Sequence, residues 1–466
     1  LLLLLLGYNS ENQFMTIFSL LLVLLLYQTR LTMRPDLFSL LFFVLYIFIL
    51  SLHIDKRWAV YAIVAVQILW SNMHGFFFFG PLFVLIAILA EWSKRTVKLP
   101  WEWNKVGRLT DEEYNRLGVI FFLTILASFI NPMTFQGAWY PISVFLQISG
   151  ESRVFFDYIQ ELQRTITRAS LGDLQNLPYF KAIIILSAYS FIFNRRKIDI
   201  GVFIFWLIFL GFSLAALRNI VYFGVAAYLV TVTNVITVSF HEISPIRFTY
   251  KKFQYISAAI LKFALAFWML NFGLFRISST YFDYDKMELK SESDGISLRN
   301  YPTKAVDFLV DMKVQGNILN EFNSGAYLVG RCYPDIKVFI DGRTEVYGAK
   351  FFELYRRVWQ KNDVELMGKM IKDNDITIAL LSSISHAVSP QLLQYFYQSK
   401  EWKLVYFDYD GVVFLKKSPQ HQWLIDKFGI DLAKWEEKKL DLSKLGARRV
   451  SAYQYANRAF TLEALG

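Results

Sequence analysis

Charge, histidine and cysteine are all scarce in this 466-residue chain. Charged residues make up 19% of it, whereas 55% are hydrophobic and 18% aromatic. Soluble domains carry about 25% charged residues, so part of the protein needs a solvent other than water. The lone cysteine, Cys332, excludes an internal disulfide. With only five histidines, at 53, 74, 241, 386 and 421, it also leaves no zinc motif and hence no metal assignment. Phosphate-binding glycine loops and nucleophile elbows are missing too, so no motif names a cofactor. The abundance of aromatic and aliphatic residues excludes disorder, collagen and small disulfide scaffolds. A net charge of +10 would point to nucleic acid in a soluble protein. Here the basic residues flank apolar runs, which points to membrane sidedness and to no nucleic-acid partner.

What is present in quantity is apolar sequence. Nine runs read as spans: Phe14–Gln28, Leu37–Leu52, Arg57–Met73, Phe76–Trp92, Leu117–Met133, Phe180–Asn194, Ile200–Ala216, Asn219–Phe240 and Tyr255–Phe275. Several fall short of the roughly 20 residues of a straight crossing. Leu37–Leu52 is apolar on every side, unlike the amphipathic helix of a soluble core. The opening LLLLLL, without methionine, reads as the tail of an earlier span, with an N-terminal part missing.

Lysine and arginine set the expected orientation. One set of breaks carries Lys56 and Arg57; Lys94, Arg95, Lys98, Lys105, Arg108 and Arg116; Arg195, Arg196 and Lys197; and Arg247, Lys251 and Lys252. The alternate set holds only Arg30 and Arg34; Arg153, Arg164 and Arg168; and Arg218, with Lys181 at a helix start. The basic-rich side is expected to be cytoplasmic, which puts everything after Phe275 outside.

Residues 276–418 have more charge and shorter apolar runs. Asn317–Glu321, Lys337–Ile340 and Ile376–Ser382 read as strands, and Lys403–Lys416 as a hairpin turning at Asp410-Gly411. Ser324–Gly330, Lys350–Gln360 and Pro390–Ser399 read as helices. The alternation predicts a small extracytoplasmic α/β domain. Residues 419–466 form a helical tail whose last stretch resembles the first helix of a tetratricopeptide repeat or an ordinary amphipathic helix. The expected architecture is therefore a multi-span α-helical membrane region over 1–275, then the α/β domain, then the tail.

Polar residues on the lysine-poor side are the candidate site. Arg30, Arg34 and Asp36 flank Pro35; arginine forks suit a phosphate, and headgroup snorkelling is the alternative. Asn72 and His74 lie between two apolar spans, where polar groups are costly, although a structural histidine fits as well. Asn131-Pro132 is a helix-stop signal or part of the site. Arg218 and Asn219 occupy a tight turn, where a buried arginine needs an anion or a carboxylate. The segment Gly150–Leu177, with Glu151, Asp157 and Glu161, reads as amphipathic and lying along the membrane surface. Any of these carboxylates is a candidate general base, though solvation is their commoner role. In the α/β domain, Asn323, Tyr327, Asp341, Arg343 and Tyr347 fall near expected strand ends, where sites form in such folds; a local Asp341–Arg343 pair is the plainer reading.

Several runs together resemble bacterial multi-span proteins of the GT-C glycosyltransferase superfamily, near the family 39 and protein-mannosyltransferase-like group. They are RPDLFSLLFF at Arg34–Phe43, WSNMHGFFFFG at Trp70–Gly80, Asn131-Pro132 and LRNIVYF at Leu217–Phe223. NEFNSGAYLVGR at Asn320–Arg331 and VFIDGRTEVYG at Val338–Gly348 match a domain attached to some of those proteins. The resemblance implies an integral inner-membrane enzyme in contact with the lipid bilayer. Its donor would be a polyprenyl-phosphate-linked sugar, transferred at the extracytoplasmic face, and a protein partner would engage the C-terminal domain or repeats. It implies Arg30, Arg34, Asp36, Asn72, Arg218 and Asn219 on the substrate or phosphate side, His74 as a catalytic positioning group and Glu161 as a catalytic carboxylate. The family's usual acidic residue lies in a first outer loop that this sequence does not contain. A non-catalytic scaffold of envelope glycan assembly and a lipid-linked glycan transporter are the alternatives. A transporter would place its polar residues nearer the bilayer midplane.

Overall fold

The computed structural model describes residues 1–7, 13–27, 35–147, 153–173, 176–237, 251–276, 282–283, 288–289, 301–382, 389–436 and 452–466. Arg30, Arg34, Glu151 and Arg247 lie outside the described residues. The chain is mostly helical, with a small mixed sheet in its C-terminal part, and divides into two compact units, Leu1–Ile256 and Ser257–Gly466.

The N-terminal unit contains α1 (Leu2–Gly7), α2 (Gln13–Tyr27), α3 (Asp36–Leu52), α4 (Trp58–Met73), α5 (Phe79–Thr96), α6 (Asp111–Ala127), α7 (Thr134–Gln147), α8 (Arg153–Tyr158), α9 (Pro178–Phe193), α10 (Ile200–Ala215) and α11 (Ile220–Thr237). Helix α12 (Lys251–Arg276) contains the boundary between the units. Helix α11 packs against α2, α9 and α10, while α6 packs against both α4 and α5. The core is aromatic: Phe43 packs edge-on against Phe79, Phe83 and Phe209 at 5.7, 4.8 and 5.0 Å, and all four rings are buried. The outward faces are apolar as well, with Phe122, Ile185 and Ile192 more than 60% exposed.

One helical stretch among the described residues, Gly75–Thr96, is long and apolar enough to cross a membrane. It combines a 3-10 turn at Gly75–Phe78 with α5. Five further apolar helices run to 10–17 residues. Six of the nine expected spans fall on these six helices to within a few residues, and one of them meets the length and hydropathy of a crossing. Tyr255–Phe275 falls within α12, Asn219–Phe240 covers α11 and runs on outside the described residues, and Leu117–Met133 is displaced. That helix begins at Asp111, because Thr110 and Glu113 form a capping box with reciprocal bonds. It ends at Ala127, and the Asn131 side chain then accepts from Met133 N–H at 2.9 Å and donates to Ser128 O, which stops the helix. Helix α7, with no charged residue, was not expected from the sequence.

In the C-terminal unit a two-residue antiparallel pair, β1 (Phe282–Asp283) and β2 (Glu288–Leu289), precedes the main sheet. That sheet comprises β3 (Gly316–Leu319), β4 (Ile336–Val338), β5 (Ile376–Ser382), β6 (Trp402–Asp408) and β7 (Gly411–Lys416), in the order β4-β3-β5-β7-β6. β3 runs parallel to β4 and β5, and the β6–β7 hairpin adds antiparallel. The helices are α13 (Thr303–Asp311), α14 (Phe322–Cys332), α15 (Thr344–Lys361), α16 (Val364–Asp373), α17 (Pro390–Gln398), α18 (Gln422–Phe428) and α19 (Ala452–Leu465). Residues of α13, α14 and α18 share one core with Ile318, Ile378 and Val413 of the sheet. Helix α15 is kinked at Gly348, whose φ of +75° suits glycine. β3 ends two residues earlier than expected, because the Asn320 side chain leaves the ladder to bond Phe339 N–H and Ile340 O.

Candidate functional site

Side-chain contacts gather the described breaks between helices of the N-terminal unit into two groups. At the lysine-rich end the breaks are laced together by charge. Lys94 Nζ lies 3.3 Å from Asp199 and bonds Gly107 O at 3.1 Å. Arg95 pairs with Glu91 at 2.8 Å and with Asp111. Arg116 bonds Ile54 O and pairs with Glu112 at 2.6 Å. Trp103 Nε1 donates to Arg195 O and Glu102 N to Arg196 O. These bonds join three of the four lysine-rich breaks, those at Lys56, at 94–116 and at 195–199; Arg247 of the fourth lies outside the described residues.

The lysine-poor end gathers the starts of α3 and α11 with the end of α4. His74 ends α4 with extended backbone and opens the Gly75–Phe78 turn. Its Nδ1 lies 2.7 Å from Ser39 Oγ, which receives the Trp70 indole N–H, also at 2.7 Å. The spacing makes this possible: Asp36 and Ser39 are three apart on α3, and Trp70 and His74 four apart at the end of α4, so each pair shares a face. Phe76 packs edge-on to His74 at 4.9 Å and against Tyr222 at 5.3 Å. The Arg218 guanidinium lies over the same Phe76 ring, 5.4 Å from its centroid. Burial holds the His74 imidazole below its ordinary range; the Asp36 carboxylate opposes that shift and Arg218 adds to it. Asp36 and Arg218, half-buried like His74, thus both act on its ring.

The remaining candidates sort around this centre. Glu161, half-buried, sits in a 3-10 turn at Gln160–Leu162 that packs against the Leu217–Asn219 turn bearing Arg218. Leu217 N–H donates to Gln163 O at 2.9 Å, and Thr165 Oγ1 donates to Ser213 O at 2.5 Å. Within the segment expected along a membrane surface, residues 160–165 are tied along 213–217. Asn219 is buried and donates to Phe212 O at 2.9 Å, which fixes the turn. Asn72 is exposed and spends its amide on Ile68 O and Ile130 O, both at 2.7 Å; it ties α4 to the end of α6. Asn131 serves its own helix stop.

In the C-terminal unit, Asp341 follows β4, is buried, and receives the Arg343 backbone N–H at 2.9 Å and guanidinium Nη2 at 2.5 Å. The Tyr347 hydroxyl joins this pair, and the hydrogen bonds from Arg343 hold the Asp341 carboxyl below its ordinary range against its burial. The plainer expectation, a local pair, is what the structure contains. Tyr327 is elsewhere: it stacks on Tyr301 at 5.1 Å and accepts from Arg331, so it does not join Asp341, and Asn323 is exposed. Glu321, which the sequence reading missed, directly follows Asn320 at the end of β3. It is 5% exposed, accepts Ser382 N–H at 3.0 Å, and burial pushes its carboxyl up to about 7. Gly325 lets α14 close on this corner, since a Cβ there would lie 2.1 Å from Ile340 O. Among the described residues, no cluster of three or more histidine, cysteine or acidic side chains is arranged to hold a metal.

Ser39 and Trp70 were also missed, and the i, i+3 and i, i+4 relations to Asp36 and His74 were the available signal. Compared with known proteins, the chain matches no family model and no curated protein.

Proposed function

We propose that the chain is a membrane glycosyltransferase of GT-C type, which transfers a sugar from a polyprenyl-phosphate donor at the extracytoplasmic face. The observation that carries this reading is the convergence of Asp36, His74 and Arg218 at the lysine-poor end of the bundle. A lipid phosphate there would be held by Arg218, with Arg34, two positions before Asp36 in sequence, as a second cation. Glu161, on a turn packed against the Leu217–Asn219 turn, would be the carboxylate that takes the proton of an acceptor hydroxyl. The attacking oxygen bonds the anomeric carbon as the bond to the phosphate oxygen breaks, and the phosphate leaves as an anion that Arg218 stabilises. Helices with apolar residues on buried and exposed faces alike support a multi-span arrangement, nine spans by the sequence reading.

The test is turnover of a polyprenyl-phosphate sugar by the full chain in liposomes. Arg218→Ala is expected to lower it by at least about 100-fold, the scale for loss of one group stabilising a developing anion, with insertion unaffected. Unchanged turnover removes the reading.

A further inference from the structure

Three donors and acceptors meet behind His74 in an order that admits one arrangement of protons. The Trp70 indole N–H can only donate, and it points at Ser39 Oγ, 2.7 Å away. Ser39 Oγ is 2.7 Å from His74 Nδ1, and the Phe76 backbone N–H points at the same nitrogen at 3.4 Å. A backbone N–H directed at Nδ1 requires a lone pair there. Ser39 therefore accepts from Trp70 and donates to Nδ1, and the neutral imidazole carries its proton on Nε2. Ser39 and Trp70 are both 0% exposed, so water does not compete for this chain. Nε2 bonds no described residue.

We propose that Trp70 and Ser39 are positioning residues that fix His74 as a neutral Nε2–H donor, directed at a ligand oxygen beside Asp36 and Arg218. The ligand half of this rests on the transferase reading, in which that oxygen belongs to the lipid phosphate. A proton on Nδ1 would break both incoming bonds, and one added there while Nε2 keeps its own would also set a second cation beside Arg218. The charged groups acting on the ring are Asp36, from the start of α3, and Arg218, from the turn before α11; burial and Arg218 keep the ring neutral against the pull of Asp36. A neutral donor differs usefully from an imidazolium, because it can hold a phosphate oxygen without adding charge that would resist release of the product.

The experiment is solid-state NMR of the full chain labelled with ¹⁵N-histidine, in phosphatidylethanolamine and phosphatidylglycerol vesicles. With five histidines in the chain, a His74→Gln variant assigns the signal. At pH 7 wild type is expected to show the Nε2–H tautomer alone. Ser39→Ala should convert it to a mixture of tautomers, and Ser39→Thr, which keeps the hydroxyl, should restore it. A purely structural role for Ser39 would leave the tautomer unchanged. Adding decaprenyl phosphate to the vesicles should shift the Nε2 signal in wild type. An imidazolium or Nδ1–H signal in wild type, or an unchanged tautomer in Ser39→Ala, overturns the positioning role; no shift with the lipid phosphate overturns the donor role. The tautomer measurements use no sugar donor, so their failure is distinguishable from failure of the transferase reading.

Discussion

At the lysine-rich end of the N-terminal bundle, Lys94, Arg95 and Arg116 each reach a carboxylate, and both Lys94 and Glu91, the partner of Arg95, are almost wholly buried. At the opposite end, Arg218 lies over a phenyl ring, with His74 and Asp36 within its field. The first arrangement closes on itself: the cations are matched by acids and carbonyls of neighbouring breaks, and the result is a latch between helices. The second is built around rings and a neutral histidine held from behind. On the proposed reading, charge that joins helices and charge that would meet a ligand separate to opposite ends. The difference predicts opposite mutational signatures, with stability lost at one end and turnover lost at the other.

The largest stability effect is expected at Asp199. Its carboxylate faces Lys94, whose side chain is 4% exposed, and also caps α10 by accepting from Gly201 and Val202 N–H. Asp199→Ala strands a buried ammonium and should cost about 3–5 kcal/mol. Asp199→Asn keeps a capping oxygen and isolates the charge contribution. Pairing Asp199→Ala with Lys94→Met should recover much of the loss, because no lone charge remains. Melting of the full chain in detergent micelles reads all three. Arg218→Ala should move the midpoint less than Asp199→Ala while removing turnover. If the two variants melt alike, the contrast between the ends is wrong.

How much of this was legible follows from which forces act locally. Apolar runs announce helices wherever they lie, so α3, α4, α9 and α10 fall within a residue or two of expectation. The ends depend on particular side chains, such as the Thr110–Glu113 box and the Asn131 stop, and the second of these was readable from Asn131-Pro132. The lysine count located Arg218 and His74 at a common end, yet it said nothing of Ser39 and Trp70, because a serine and a tryptophan in apolar helices look like filler until the helices pack. In the C-terminal unit the strand pattern read well, with β5 found at its full length. Placement of functional groups did not. Tyr327 was grouped with Asp341 because both lie near strands in sequence, but the second turn of α14 aims it at Tyr301. Glu321 was passed over because a lone glutamate in sequence gives no sign that Ser382, far along the chain, will bury it.

Glu321 sharpens the contrast by supplying a buried carboxyl whose shift is set by burial and a backbone N–H rather than by a cation. Glu91 keeps Arg95 at 2.8 Å; Glu321 has the Ser382 N–H, and burial raises its carboxyl from 4.5 to about 7. The sign follows from proton counts. Between pH 4.5 and about 7 the folded state holds a proton that the unfolded state has released, so stability falls as pH rises through that window. The full loss by pH 8 is about 3 kcal/mol, or roughly two decades in the opening equilibrium. Asp410, whose carboxyl is also raised by burial, pulls in the same direction, so wild type alone does not isolate Glu321. Glu321→Gln does: the amide oxygen still accepts from Ser382 and carries no charge at any pH. Hydrogen exchange of the β5 segment in the full chain should show equal protection in wild type and Glu321→Gln at pH 4.5. By pH 8 the variant should be protected roughly a hundredfold more. Equal protection at both values would mean that a counter-charge reaches Glu321, and the distinction between paired and unpaired buried acids would then fail at its clearest example.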